Sequence, residues 1–329
     1  MNSRASESFI GQLADKLIGG AKANRREALA LLELDRNDLP CLFAHASRIR
    51  RHFLGNRVHV CAILNVKSGA CPEDCAFCAQ SAHATTGTAQ YGLLEFQQVA
   101  QRIEKVFERV KPTSLGLVTS GRCSLEGAIR LASQVSPVVA SKGAACCASF
   151  GQASTEEARR LKQAGIRCFN HNLETSENYF SKVCTTHTFK DRVKTVNNLR
   201  EGGLSLCVGG IVGMGETAED RVDLALAVRE LGADKVPLNF LNPIPGTRFV
   251  GMAPLHPLDA LKILAMFRFV LPDRHIKVAG GREAILGDFQ SWMFLAGGSG
   301  FIIGDYLTTQ GRSVEEDLRL VERLGLEIE

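Results

Sequence analysis

His59-Val60-Cys61-Ala62-Ile63-Leu64-Asn65-Val66-Lys67-Ser68-Gly69-Ala70-Cys71-Pro72-Glu73-Asp74-Cys75-Ala76-Phe77-Cys78 is an apolar run that breaks at a glycine and releases three cysteines in a short polar segment. The spacing predicts a strand over His59–Asn65 followed by a loop. Seven more strand-like runs come after it: Leu115–Thr119, Ala145–Phe150, Ile166–Asn170, Leu204–Val212, Lys235–Phe240, His275–Ala279 and Gly300–Ile303. Helical periodicity fills the gaps, over Phe96–Val110, Leu125–Ala140, Thr155–Ala164, Phe189–Glu201, Ala218–Leu231, Pro257–Leu271 and Glu283–Leu295, and Val314–Leu324 closes the chain. Eight β/α units predict an α/β protein of the closed (β/α)8, TIM-barrel type. A doubly wound open sheet is the alternative, but no glycine-rich phosphate turn follows the first strand. Before it, Phe9, Leu13, Leu17, Leu29, Leu31 and Leu32 recur at helical spacing. The expected organisation is a helical extension over 1–54 and a barrel over 55–329.

Composition narrows the function classes. The chain has 329 residues, 45% of them apolar, enough for a large core, and 31 glycines for tight turns. A net charge of +4, with no Lys/Arg block longer than two residues, gives no nucleic-acid footprint. No run approaches a membrane span and no apolar segment near the start reads as a secretory signal, so a soluble cytoplasmic protein is expected. Eleven cysteines in such a protein point to metal binding or catalysis where they cluster and to small buried hydrophobes where they scatter.

The cluster is C-x-x-x-C-x-x-C, placed where barrel enzymes keep their chemistry, at the C-terminal end of a strand. Three soft thiolates on a flexible segment suit a 4Fe–4S cubane with one iron left open. That iron can chelate the amino and carboxylate groups of S-adenosylmethionine (SAM), whose reductive cleavage gives a 5′-deoxyadenosyl radical. Structural zinc would want a fourth ligand, and no second C-x-x-C knuckle exists. A buried helix face is disfavoured by Pro72, Glu73 and Asp74. Polar residues follow other strands too: Thr119-Ser120-Gly121, Asn170-His171-Asn172-Leu173-Glu174-Thr175 and Asn239. Asn172 and Glu174 occupy alternate positions, so both can face the mouth; the same residue types also serve for a turn or helix cap.

The segment Asn65 to Ser81, together with Asn170-His171-Asn172-Leu173-Glu174-Thr175-Ser176, Gly209-Gly210-Ile211-Val212-Gly213-Met214-Gly215-Glu216-Thr217 and Ala279-Gly280-Gly281-Arg282-Glu283, resembles the biotin synthases among the radical SAM enzymes. The similarity runs in order from about residue 40 onward. It implies conversion of dethiobiotin to biotin by sulfur insertion into two C–H bonds, with a 4Fe–4S cluster on Cys71, Cys75 and Cys78, SAM, and a second iron–sulfur cluster (2Fe–2S or a variant) as sulfur donor. It further implies a flavodoxin or ferredoxin as electron donor and a homodimer. By the resemblance, Asn172 and Glu174 bind the SAM ribose, Gly209, Ile211, Gly213 and Glu216 lie near adenine, and Asn172 and Asn239 contact dethiobiotin. Phe77 is expected to pack beside the cluster.

The pattern departs at the second cluster. Cys147 and Cys207 match two of its cysteines, but Gly116 stands where a third is expected and Lys277 where arginine is. An ammonium is a point donor without the guanidinium fork, so Lys277 is expected near the cluster but not as a ligand. Cys184 is the expected replacement ligand and Cys123 the runner-up, both on the catalytic face. Cys146 should point away from the barrel, and Cys41, Cys61 and Cys168 are read as small buried hydrophobes. Competing readings are another radical SAM barrel of hydrogenase-maturation or methylornithine-synthase type, and a zinc-dependent module.

Overall fold

The computed structural model describes residues 3–329. Ten strands form one sheet system: β1 (Arg57–Lys67), β2 (Ser114–Thr119), β3 (Ala145–Ser149), β4 (Cys168–Asn170), β5 (Ser205–Cys207), β6 (Gly210–Val212), β7 (Lys235–Phe240), β8 (His275–Val278), β9 (Gly300–Ile302) and β10 (Glu327–Ile328). Every pairing between named strands is parallel, and β9 pairs back onto β1 through His59↔Gly300 and Val60↔Phe301, so the sheet closes into a barrel. One barrel position is filled in tandem. The single expected strand Leu204–Val212 splits into β5, which pairs β7 at Cys207↔Lys235, and β6, which pairs it at Gly210↔Leu238. Gly209 makes the break, because a Cβ there would stand 1.9 Å from the Pro237 carbonyl oxygen.

Helices wrap the barrel as the periodicity predicts, and their starts are written in the sequence. Ser154, Thr188 and Thr217 each open a helix with a reciprocal capping box to Glu157, Asp191 and Asp220. The one clear departure is Glu283–Leu295. It breaks into Arg282–Leu286, a 3-10 turn at Gly287–Phe289 and Trp292–Leu295, because Gly287 takes a left-handed φ of 48° that ends the first helix.

Before β1 come three helices at Ser3–Ile18, Arg25–Leu32 and Leu39–Leu54; the first packs on the third, the second on the outer helices Ala218–Glu230 and Pro257–Val270, and the third on Pro257–Val270. Their Ile10, Leu17, Leu31 and Ile49 join the same hydrophobic core as the barrel strands. Residues 1 and 2 of the expected extension lie outside the described residues. No helix among the described residues is long and apolar enough to cross a membrane.

The base of the barrel is tied by a buried histidine. His59 meets Ser114 Oγ at 3.0 Å through Nε2 and Glu329 Oε2 at 2.9 Å through Nδ1. Burial pulls His59 down to about 4 although Glu329 opposes it. The folded protein therefore keeps this ring neutral where the unfolded chain, titrating near 6.5, takes up a proton. Stability from this group is complete above about pH 6.5 and is lost as pH falls towards about 4. Glu329, held below its usual range by the same bond, acts in the same direction. The denaturant midpoint is expected to drop between pH 7 and pH 5 and to drop less in His59→Gln. Equal slopes in the two proteins would remove His59 from this account.

Candidate active site

A cavity of about 440 Å³ opens at the C-terminal ends of the strands. Its wall includes Cys71, Cys75 and Cys78 from the loop after β1, and Asn172 and Glu174 from the loop after β4. Ile211 comes from β6, Asn239 from β7 and Lys277 from β8, with Cys61, Cys147, Cys168 and Cys207 also on the wall.

The motif loop is held open rather than coiled. Gly69 and Ala70 both take positive φ, 69° and 48°, which turns the chain sharply off β1. Buried Gln80 then pins the turn: its Oε1 accepts from Ser68 Oγ at 3.1 Å, Gly69 N at 3.2 Å and Asn65 Nδ2 at 3.3 Å. Backbone bonds Cys71 N→Gln80 O (3.0 Å) and Ala82 N→Cys71 O (2.7 Å) fix the first cysteine, and Cys78 N→Cys75 O (3.0 Å) turns the other two towards the same side. Gly121, after β2, leaves room for the first thiol, since a Cβ there would lie 3.0 Å from Cys71 Sγ. Burial raises the Cys71 and Cys78 thiols, Cys78 to about 11. Thiols that resist ionisation by themselves yet share one wall suit a metal group that draws off their protons. The residues present fit a three-thiolate cluster. Phe77 packs with the apolar patch of Ile211, Tyr179 and Met214.

Among the described residues, Glu174 is one of two non-glycine residues with positive φ, at 71°. Its loop lies against β6: Ile211 N donates to Glu174 O at 2.7 Å, and a Cβ on Gly210 would come within 2.5 Å of that oxygen. Burial raises the Glu174 carboxyl, partly offset by the Arg192 guanidinium 3.4 Å away. Arg192 also donates to Asn172 O at 2.9 Å and to His187 Nε2 at 3.0 Å. Gly209, Gly213 and Glu216 do not line the cavity. Gly209 is needed under Pro237. Glu216 accepts from Gly213 N (2.8 Å) and Met214 N (2.6 Å) and pairs with Arg221 at 2.7 Å, so it shapes the loop behind Ile211. Asn239 is held at both ends of its amide: Nδ2 donates to Gly210 O at 3.1 Å and Oδ1 accepts from Gly280 N at 2.9 Å. One N–H and one lone pair remain for a ligand.

Deeper in the barrel, Cys147, Cys168 and Cys207 form a contact cluster of their own. Cys147 and Cys168 are register partners across β3 and β4. Cys184 does not join them, which corrects the expected ligand set. It ends a short helix at Phe180–Val183 and meets Asp74 Oδ1 at 3.1 Å, Thr186 Oγ1 at 3.3 Å and His187 Nδ1 at 3.3 Å, beside Cys75. The ligating atoms of Cys75, Cys184 and His187 all lie within 4.8 Å of one another. The loop brings His187 and Arg192 to the cavity wall, but its Cys184 reaches the outer motif and not the inner cysteines. The hydrogen bond between the two thiols drives Cys184 down to about 4, with His187 and Thr186 assisting, and Cys75 up. Cys123 is not on the cavity wall and packs against the main core. Lys277 is 5% exposed and its ammonium is raised against burial by the thiols of Cys207, Cys61, Cys168 and Cys147.

Relatives decide the family. A biotin synthase of Trichlorobacter lovleyi is 45% identical over 325 residues, covering 98% of this chain and 97% of that protein. One of Geobacter sulfurreducens is 44% identical over 323 residues, with 98% of each covered. The chain belongs to the biotin synthase family. Residues 65–228 match the Radical SAM superfamily model, and residues 237–327 match the Biotin and Thiamin Synthesis associated domain. As a radical SAM enzyme it uses SAM and a 4Fe–4S cluster. Methylornithine synthase superposes with a TM-score of 0.81 over 96% of this chain and 97% of its own at 19% identity. The hydrogenase maturase HydG does so with 0.84 over 98% and 75% at 16%. These two share the barrel, and at such identities the likeness extends to the fold alone.

Two members of this biotin synthase site lie outside the motifs, and a third, Gln80, lies inside the Asn65–Ser81 segment with no role read from it. Gln80, His187 and Arg192 act from a loop or a helix start, where an amide, imidazole or guanidinium reads as ordinary surface. The pairing of Glu73 with His187 at 2.6 Å, beside Arg192, shows that they belong together.

Proposed function

We propose that this chain converts dethiobiotin to biotin, inserting sulfur between two carbons that each lose a hydrogen, in the cytoplasm and as a homodimer fed by flavodoxin or ferredoxin. One observation supports it above the rest: the motif cysteines and a second, separate group of buried cysteines open onto the same cavity. One set suits a radical source and the other a sulfur store. When bound, the 4Fe–4S cluster and SAM supply the radical that removes hydrogen from unactivated carbon. The chain's own part is placement. Cys71, Cys75 and Cys78 would hold the cluster through their three thiolates. Gln80 keeps their loop in shape.

Asn172 and Glu174 receive the ribose hydroxyls, with Arg192 holding both the Asn172 carbonyl and the Glu174 carboxylate in place. Ile211 offers an apolar face to the adenine, and the bare backbones of Gly209 and Gly213 let its loop pack tightly. Asn239 meets the ureido ring with its free N–H and lone pair, and Asn172 adds a second contact. Cys147 and Cys207 would help hold the sulfur-donor cluster. The helical extension over 1–54 buttresses the barrel of 55–329 from outside.

Anaerobic incubation with dethiobiotin, SAM and a reductant tests the proposal, with biotin identified by mass. Deoxyadenosine formed without any biotin would refute it. Asn239→Leu is expected to weaken dethiobiotin binding by about 1–3 kcal/mol, because a buried urea loses a donor and an acceptor. Equilibrium binding with unchanged affinity would remove Asn239 from substrate recognition.

A further inference from the structure

The inner cysteines carry more than the family pattern asks of them. This inference rests on the sulfur-donor reading above and deepens it. Three neighbouring strands, β3, β4 and β5, each turn one thiol to the inside, and Cys168 on the middle strand packs with the other two. Cys61 on β1 reaches the same cavity. A strand whose small residues were there only to pack would not need four thiols gathered round one cation. Lys277 is that cation. It is buried, and no carboxylate bonds to it among the described residues. A buried ammonium without a counter-charge is costly, and neutral thiols do not supply one. Gly116 on β2 leaves the wall open beside them: a Cβ there would meet nothing nearer than Ile63 Cγ2 at 3.4 Å.

We propose that the sulfur-donor cluster is held by Cys61, Cys147, Cys168 and Cys207, with Lys277 as its counter-charge and not a ligand. Four thiolates complete the coordination of either a 2Fe–2S or a 4Fe–4S core. They also leave it more negative than a set of three thiolates and a neutral donor would. A protonated lysine has no lone pair for iron but neutralises part of that charge. The two departures from the family pattern then explain each other. The ligand lost at Gly116 is regained on β1 and β4, and the arginine position, freed from ligation, keeps only its charge.

The test isolates the inner site in the full-length chain. Cys71, Cys75 and Cys78 are all changed to Ala, and the protein is reconstituted anaerobically with iron and sulfide. Iron and sulfide per chain are counted, and Mössbauer spectra are recorded. This background is expected to keep one cluster with all-thiolate iron. Adding Cys61→Ala or Cys168→Ala should remove most of that iron, whereas adding Cys184→Ala or Cys123→Ala should leave it. Circular dichroism on each protein separates loss of metal from loss of fold. If Cys61→Ala and Cys168→Ala keep full iron with an unchanged spectrum, the ligand set is wrong while the donor reading stands. If a folded background protein binds no iron at all, the donor reading itself fails. Lys277→Met should keep the iron count and move the cluster's reduction potential to more negative values, with Lys277→Arg restoring it. Loss of iron in Lys277→Met as complete as in the cysteine variants would make Lys277 a ligand and overturn its assigned role.

Discussion

Cys78→Ala and Cys71→Ala proteins are expected to form no 5′-deoxyadenosine from SAM under reducing conditions, a loss of the whole activity. A cubane held by three thiolates has no redundancy, because losing one opens a second iron to solvent. The loop cannot bring in a substitute, since Gln80 and the backbone bonds around Cys71 fix its shape. Cys75 is the exception that sharpens the test. Cys184 lies within 4.8 Å of it, so Cys75→Ala leaves a spare thiol nearby. Any activity remaining in Cys75→Ala should vanish in Cys75→Ala/Cys184→Ala. Deoxyadenosine formation at the normal rate by Cys78→Ala would end the assignment of this motif to the cluster.

Asp317→Ala should destabilise the fold by about 3–5 kcal/mol, the usual cost of leaving one half of a buried ion pair alone. Arg282 and Asp317 are both fully buried and meet at 2.5 Å and 3.1 Å in a forked contact. Arg282 also donates to Gln290 Oε1 at 2.6 Å and to the Tyr306 hydroxyl at 3.3 Å. Without Asp317 its charge has only the half-buried Glu283, 3.3 Å away, for compensation. Chemical denaturation of the two proteins measures the difference. A change below about 1 kcal/mol would mean that the pair is dispensable and that other contacts carry the guanidinium. Arg282 donates to the Tyr306 hydroxyl, which itself donates to Ala279 O at 3.1 Å, next to the Gly280 N–H that Asn239 holds, so partial loss of substrate affinity should accompany the loss of stability.

Much of this was legible in the sequence. Each barrel strand is short, apolar and bounded by turn residues, and the helix caps are explicit, so the eight units can be read directly. The two errors of continuity have one origin. Gly209 and Gly287 sit inside runs whose hydrophobic pattern is unbroken, and periodicity does not register a backbone that must yield to a neighbouring carbonyl or adopt positive φ. The motif cysteines were legible because they are adjacent in the chain. Cys184 was misplaced because sequence distance to the inner strands says nothing about which end of the cavity a loop covers. Cys168, expected as a small buried residue, is buried, and it shares the parity of Asn170 and so the inward face of β4. Arg192 carried no such mark.

The closure of β1 onto β9, with His59 bound to Glu329 across 270 residues of sequence, has a kinetic consequence. Contacts of such separation form late, after the entropy of a very long loop has been lost. On the ribosome, the cysteines from Cys61 to Cys207 emerge well before β9 and β10 can seal the barrel. For that interval the thiols later enclosed stand in an unfinished sheet, open to dissolved iron and to oxidants alike. Protein made under air should therefore accumulate misoxidised chains during synthesis, and anaerobic expression should raise the yield of chains able to take up metal.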